Sequence, residues 1–246
     1  MQAGGNPASE VVQAADTDQP PVAKNDWEME EWLYQQGKMA ERLIALGVEK
    51  RTAENYDKES SVSVPSVNWK SLHTGELTRS AVLFISCDWT SSAHLYLMQD
   101  SGGIWHVADQ IEADCHYDDS VAFELIGIRN PNRDEILLHH VCEGRGTGYL
   151  KQSFSVLLPI RGKLKEVLST DEVLHSFQIE PVQHDLNQTS TFAVLPIAGR
   201  TDRAIEQTRS SVINGRLTVQ RRIFRWNPIK GRYTASKLTT VEATAK

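Results

Sequence analysis

The sequence predicts a mainly β protein of antiparallel meanders or hairpin repeats, propeller-like or sandwich in kind, with one N-terminal helix. Three observations carry this. From Val121 to Leu168 the chain reads VAFELIGIRNPNRDEILLHHVCEGRGTGYLKQSFSVLLPIRGKLKEVL, apolar runs separated by polar and glycine-rich turns, which is the pattern of a four-strand meander. A hairpin form recurs in LYLMQDSGGIWHVA from Leu95, VLLPIRGKLKEVL from Val156 and IFRWNPIKGRYTA from Ile223. In each, an apolar or aromatic strand runs through a polar turn ending in glycine into a shorter strand. The clearest helical periodicity lies in Asn25–Gly47, ahead of all of these.

Residues 1–24, rich in Ala, Gly, Gln, Asp and Pro and without an apolar run, are expected to form a disordered leader. A helix follows over 25–48. Asn25 can cap it with Glu28 three residues on, and Asp26, Glu28, Glu30 and Glu31 suit the positive end of its dipole. Trp32, Met39, Leu43 and Leu46 recur at helical spacing to form the face that docks on the β domain, and Gly47 suits the C-terminal cap. Residues 49–68 are polar and predict a linker.

A single antiparallel β domain is expected over 69–240. Ala81–Ser86 is an apolar strand, and Ala93–Gln99 and Ile104–Gln110 form a hairpin across Asp100-Ser101-Gly102-Gly103. Within the central meander, Val121–Ile128, Ile136–Val141, the alternating run around Phe154–Leu158, and Leu164–Leu168 are the four strands, with Pro159 tolerable only at an edge or strand end. Ser176–Val182 and Thr191–Ile197 suggest two more strands, and Arg203–Ser211 suits either a strand or a short helix. Asn214-Gly215 is a hairpin signal, and Arg216–Trp226 with Arg232–Lys237 closes the series. Gly103, Gly162 and Gly231 recur about 60 to 70 residues apart, within reach of blade-sized repeats.

The hairpins resemble those of exported bacterial proteins with FG-GAP or VCBS-type propeller repeats. In these a strand such as DEILLHHV and a turn such as EGRGTGY precede a further strand and a Gly-Lys-Leu hairpin. The likeness covers Val121–Leu168 and, more loosely, the other hairpins. It implies propeller-like units and an extracytoplasmic location, periplasmic or secreted. Those families commonly carry a calcium loop of alternating aspartates with a glycine. The equivalent turn here, Ile128 to Asp134, has two arginines and one aspartate, so calcium does not follow from the resemblance.

Charge is unevenly spread. Residues 199–246 hold 11 basic and 3 acidic side chains, a net of +8, in a chain whose formal net charge is −6. The acidic total makes nucleic acid an unlikely partner class. No apolar stretch reaches the roughly 20 residues of a membrane span. Cys87, Cys115 and Cys142 have no metal-ligand spacing, leaving one bridge plus a free thiol or three thiols.

Two candidate sites stand out. The loop Glu143, Gly144, Arg145, Gly146, Thr147, Gly148 offers charged side chains on a turn. A strand rather than a helix follows it and no Gly-Lys-Ser/Thr is present, so it is not a phosphate loop. Arg221, Arg222, Arg225 and Trp226 in the C-terminal hairpin form a candidate anion or partner face. His139 and His140 are adjacent in a strand, so they point to opposite faces and cannot share a metal without distortion. No nucleophile elbow or zinc-protease motif occurs, and no cofactor or metal is expected. The favoured expectation is a non-catalytic, exported β domain for binding or assembly with an unknown protein or small ligand. The alternative is an exported hydrolase acting on carbohydrate or ester substrates through carboxylates such as Asp118 or Glu143.

Overall fold

The computed structural model describes residues 25–34, 38–59, 65–86, 92–114, 120–144, 149–175, 187–213 and 216–243. The strands fall into three antiparallel meanders that follow one another along the chain. The first sheet holds β1 (Ser66–Leu72), β2 (Ser80–Ser86), β3 (Ser92–Ser101) and β4 (Ile104–Asp114), paired in chain order. The middle sheet repeats the plan with β5 (Ser120–Asn130), β6 (Arg133–Gly144), β7 (Tyr149–Ile160) and β8 (Lys163–His175). The last sheet holds β9 (Asn187–Pro196), β10 (Arg203–Ile213) and β11 (Arg216–Asn227). Along the free edge of β11, β12 (Arg232–Ala235) and β13 (Thr239–Ala243) pair in succession.

Alternation along the strands sorts side chains to opposite faces, and the sheets stack face to face. Val82, Phe84, Leu95 and Leu97 of the first sheet meet Ile136, Leu138 and Leu157 of the middle one. The opposite face of the middle sheet, with Leu137, Phe154, Val156 and Leu158, meets Ile205, Phe224 and Tyr233 of the last. Phe154 and Phe192 stack across that joint with centroids 4.0 Å apart. Burial on both faces explains why Ile136-Leu137-Leu138 and Val156-Leu157-Leu158 are continuous apolar runs rather than alternating ones. The fourth strands also meet: β8 touches β4 on one side and β12 on the other.

The recurring glycines mark the same place in each sheet, the turn between its third and fourth strands. Gly103, Gly162 and Gly231 have φ of +93°, +72° and +58°, a region open to glycine at little cost. In the first two sheets the turn has two residues, Gly102-Gly103 and Arg161-Gly162, all with positive φ, as a right-twisted hairpin demands. The last sheet uses a longer loop closed by the Gly231 N–H donating to Asn227 O at 2.9 Å.

Polar contacts also join the sheets. The Leu164 N–H donates to Asp109 Oδ2 at 2.8 Å, and Lys163 Nζ lies 3.4 Å from Oδ1. Burial alone would raise the Asp109 carboxyl, but these donors outweigh it and hold it below the usual carboxylate range. On the other side of the middle sheet, Glu135 is fully buried. It is ion-paired and hydrogen-bonded to the Arg129 guanidinium and accepts from the Tyr233 hydroxyl at 2.7 Å. The Arg129 guanidinium lies 4.7 Å from the Trp226 ring centroid, a cation–π contact that closes the joint.

The outer face of the first sheet is roofed by α1 (Asp26–Tyr34), α2 (Met39–Ala45) and α3 (Lys50–Glu59). This corrects two expectations. The single helix over 25–48 is two helices, and residues 49–68 are not a linker but hold α3 and the start of β1. Met29, Leu33, Leu43, Leu46, Ala53 and Tyr56 pack on Val67, Trp69, Leu83, Ile85, Tyr96 and Met98. Trp32 is only partly buried, at the margin of the docking face. Asn25 Oδ1 does accept the Glu28 N–H at 3.0 Å, and Gly47 takes φ +91° as a C-terminal cap.

The helices clasp the edges of the first sheet as well as its face. The edge strand β1 points alternate N–H groups outward, and α1 supplies their acceptors. Tyr34 Oη accepts from Val67 at 2.7 Å, Glu30 Oε1 from Trp69 at 2.8 Å and Asp26 Oδ1 from Ser71 at 3.0 Å. At the other edge the Val107 N–H donates to Leu46 O at 2.8 Å. An edge satisfied in this way no longer templates another strand. Among the described residues no helix is long and apolar enough to cross a membrane. The leader 1–24, the strand Ser176–Val182, the turn Asn214-Gly215, Cys87 and Cys115 lie outside the described residues.

Candidate functional site

The two sequence-derived sites fare differently. Glu143 and Gly144 end β6, with Gly144 paired to Tyr149 of β7. Arg145, Gly146, Thr147 and Gly148 lie outside the described residues, as does Asp118. The arginine cluster is not one face. β11 alternates, so Arg222 and Trp226 share the face of Phe224, which looks into the stack, while Arg221 and Arg225 look out with Ile223. Trp226 is engaged with Arg129 and packs on Tyr233 at 5.5 Å between centroids. His139 and His140 likewise divide. His139 packs on Phe154 with centroids 4.9 Å apart, and burial lowers its pKa, opposed in part by Glu124.

What Arg221 and Arg225 do belong to is the outer face of the last sheet. Register places Ala204, which is buried, beside Leu195 and puts Ile223, Glu206 and Ala193 in the next row across the sheet. The following rows are Arg221 with Thr208 and Thr191, then Val219 with Ser210, then Leu217 with Val212. Arg221, Arg225, Ala193 and Thr191 are exposed, and Val212 is 40% exposed. Ile223, Leu195 and Val219 are half-buried by their in-sheet neighbours. Among the described residues none of this face joins a buried core cluster, whereas the equivalent face of the first sheet lies under three helices. The two arginines straddle Ile223, so the face is apolar with a cationic overlay.

A second feature went unseen in the sequence. A cleft of about 150 Å³ opens between α3 and the far ends of β3 and β4, lined by Glu49, Thr52, Asn55, Tyr56, His94, Gln110 and Glu112. His94, 7% exposed, forms its floor and is hydrogen-bonded at Nδ1 to the Tyr56 hydroxyl. Its Nε2 lies 3.8 Å from Glu112 Oε1, and the Tyr96 ring lies parallel to the imidazole at 5.7 Å. These residues come from three segments up to 63 positions apart. The one local signal was Ala53 and Tyr56 at helical spacing inside a stretch free of Gly and Pro.

No family model, curated protein or solved structure matches the chain.

Proposed function

We propose that this protein is a non-catalytic β stack that binds a protein partner through the open outer face of its last sheet. One observation carries the reading: among the described residues two equivalent terminal faces are treated oppositely, the first roofed by helices and the last without such a roof and with aliphatic side chains in place. Stacked repeats need a polar or covered surface at each end for solubility, so a bare aliphatic end face is a docking surface. The repeat of antiparallel sheets of four or five strands, with a positive-φ glycine at the same turn in each, supports a blade-like unit of the kind the FG-GAP resemblance implies.

The partner's chemistry follows from the face. Arg221 and Arg225 call for carboxylates, and Ile223, Val219 and Leu195 for aliphatic side chains between them, as on an acidic, alternating strand. A second copy laid face to face would set these arginines against themselves. Single-stranded nucleic acid would need exposed aromatics to stack on, yet Phe224 and Trp226 look inward.

Fluorescence anisotropy of a labelled ten-residue peptide of alternating Val and Glu tests this. Saturable binding should weaken as salt rises from about 50 to about 300 mM. It should be lost in Arg221→Glu/Arg225→Glu while the melting temperature holds. No binding, or equal binding by the double variant, overturns the proposal. So does a sedimenting dimer abolished by the same substitutions, which would make the face a self-interface.

A further inference from the structure

We propose that the cleft between α3 and the β3–β4 hairpin is a binding site for a small primary ammonium group, either a free alkylamine or the tip of a lysine side chain. Its size is the first argument. About 150 Å³ of free space is about five water volumes at about 30 Å³ each, enough for an ammonium head with one or two carbons. That is too small for a sugar or a nucleotide.

Its chemistry is the second argument. Glu49 and Glu112 supply two carboxylates, Thr52, Asn55 and Gln110 are neutral and polar, and among the described residues no lysine or arginine lines the cleft. An ammonium group brings three donors and no acceptor, the complement of such a lining. An anion would face both glutamates. A divalent cation needs three or more ligands brought together, and no such group occurs among the described residues.

The third argument is a side chain that the fold leaves unserved. Tyr96 is fully buried, yet its hydroxyl has no hydrogen-bond partner among the described residues. It sits opposite Gln110 in the β3–β4 ladder and parallel to His94. Burial first, then the charges of Glu112 and Glu49, push the hydroxyl far above the usual phenol range. The negative field at that point therefore comes from the two carboxylates of the cleft. A buried polar group without a partner is unusual in a folded protein, and the ring that carries it stacks on His94, the floor of the cleft. The Tyr56 hydroxyl engages His94 Nδ1, so the imidazole is fixed and its Nε2 stays on the Glu112 side. The helical roof thereby completes the site: α3 supplies Thr52, Asn55 and Tyr56, and Glu49 directly precedes it.

Proton NMR of the full chain tests this by following the His94 and Tyr56 ring signals during addition of methylammonium chloride. The expected result is a saturable shift, absent with sodium chloride or tetramethylammonium chloride at the same ionic strength. Glu49→Gln/Glu112→Gln should weaken it by about tenfold or more. Both positions are exposed, so the double variant should fold and melt like the parent. Tighter binding of N-acetyl-lysine methylamide than of methylammonium assigns the site to a protein lysine, and the reverse assigns it to a free amine. Equal shifts with tetramethylammonium or sodium, or unchanged binding by the double variant, overturn the proposal.

Discussion

The two ends of the stack pose the same physical problem and solve it differently. Each terminal sheet has one face inside the stack and one turned outward. At the first sheet the outward face carries Val67, Trp69, Leu83, Ile85, Tyr96 and Met98, large side chains that water would not tolerate in one patch. Three helices cover them, and α1 also saturates the free edge of β1. At the last sheet the outward face is graded down: Thr191, Thr208, Ser210 and two arginines interrupt the aliphatic side chains. The first face must be covered for the chain to fold. The second carries enough polar side chains among its aliphatic ones to face water. The large apolar burial is concentrated at the first end, and the proposed docking surface lies at the other.

Removing residues 1–59 breaks that comparison most severely. Each large side chain uncovered forfeits about 1.5–3 kcal/mol, and β1 regains its unpaired N–H groups. The truncated chain should aggregate or lose its cooperative thermal transition, as circular dichroism would show. A soluble truncated protein with the parent's melting temperature would mean that the helices are no roof.

Next in size is the joint that holds the last sheet. Glu135→Ala removes a buried carboxylate, strands the Tyr233 hydroxyl and leaves Arg129 unpaired against Trp226. Urea unfolding should record a loss of about 3 kcal/mol, and Tyr233→Phe a loss of about 1 kcal/mol. Similar losses for both would place the joint's strength in the tyrosine rather than in the ion pair.

The repeat positions should cost less. At Gly103 a methyl group would meet nothing within 4 Å, while φ is +93°. Gly103→Ala should therefore lose about 1 kcal/mol by backbone strain alone. A silent substitution there would remove the physical reason for the glycine.

How much of this was legible depends on the range of each signal. The hairpin glycines were readable because a two-residue turn demands positive φ within the turn itself. The meander Val121–Leu168 was readable because its turns lie between neighbouring strands. The helical roof was misread where its apolar content is sparse: among its described side chains α3 buries only Ala53 and Tyr56, so its sequence is that of a solvated linker. Asp26 and Glu30 were readable as helix-dipole residues, but their acceptor role toward β1 joins positions about 40 residues apart. The arginine cluster was grouped by proximity in sequence, which ignores the two-residue period that sends Arg222 and Trp226 inward. The cleft left no sequence signal beyond the helical spacing of Ala53 and Tyr56, because its residues come from three separate segments.

The smallest expected effect is the acid limb of stability. The Asp109 pKa is lowered in the folded state, so the clasp between the first two sheets contributes fully above the unfolded value of about 3.9. Its contribution fades as pH falls through the lower folded value. Asp109→Asn should lower the melting temperature slightly at neutral pH and flatten its fall below about pH 4, where the carboxylate no longer contributes. An unaltered acid limb would show that the carboxylate is not linked to folding.

The contrast between the ends is tested most directly by one matched pair of unfolding free energies, Leu83→Ala against Ile223→Ala. Both positions lie on interior strands and on outward faces, Leu83 fully buried beneath the helices and Ile223 on the bare sheet. Leu83→Ala should lose about 2–5 kcal/mol, as core truncations do. Ile223→Ala, at a half-buried position, should lose only about 1 kcal/mol, a fraction of the cost of a fully buried side chain. Comparable losses at the two sites would contradict the account, because the last sheet would then be covered as thoroughly as the first.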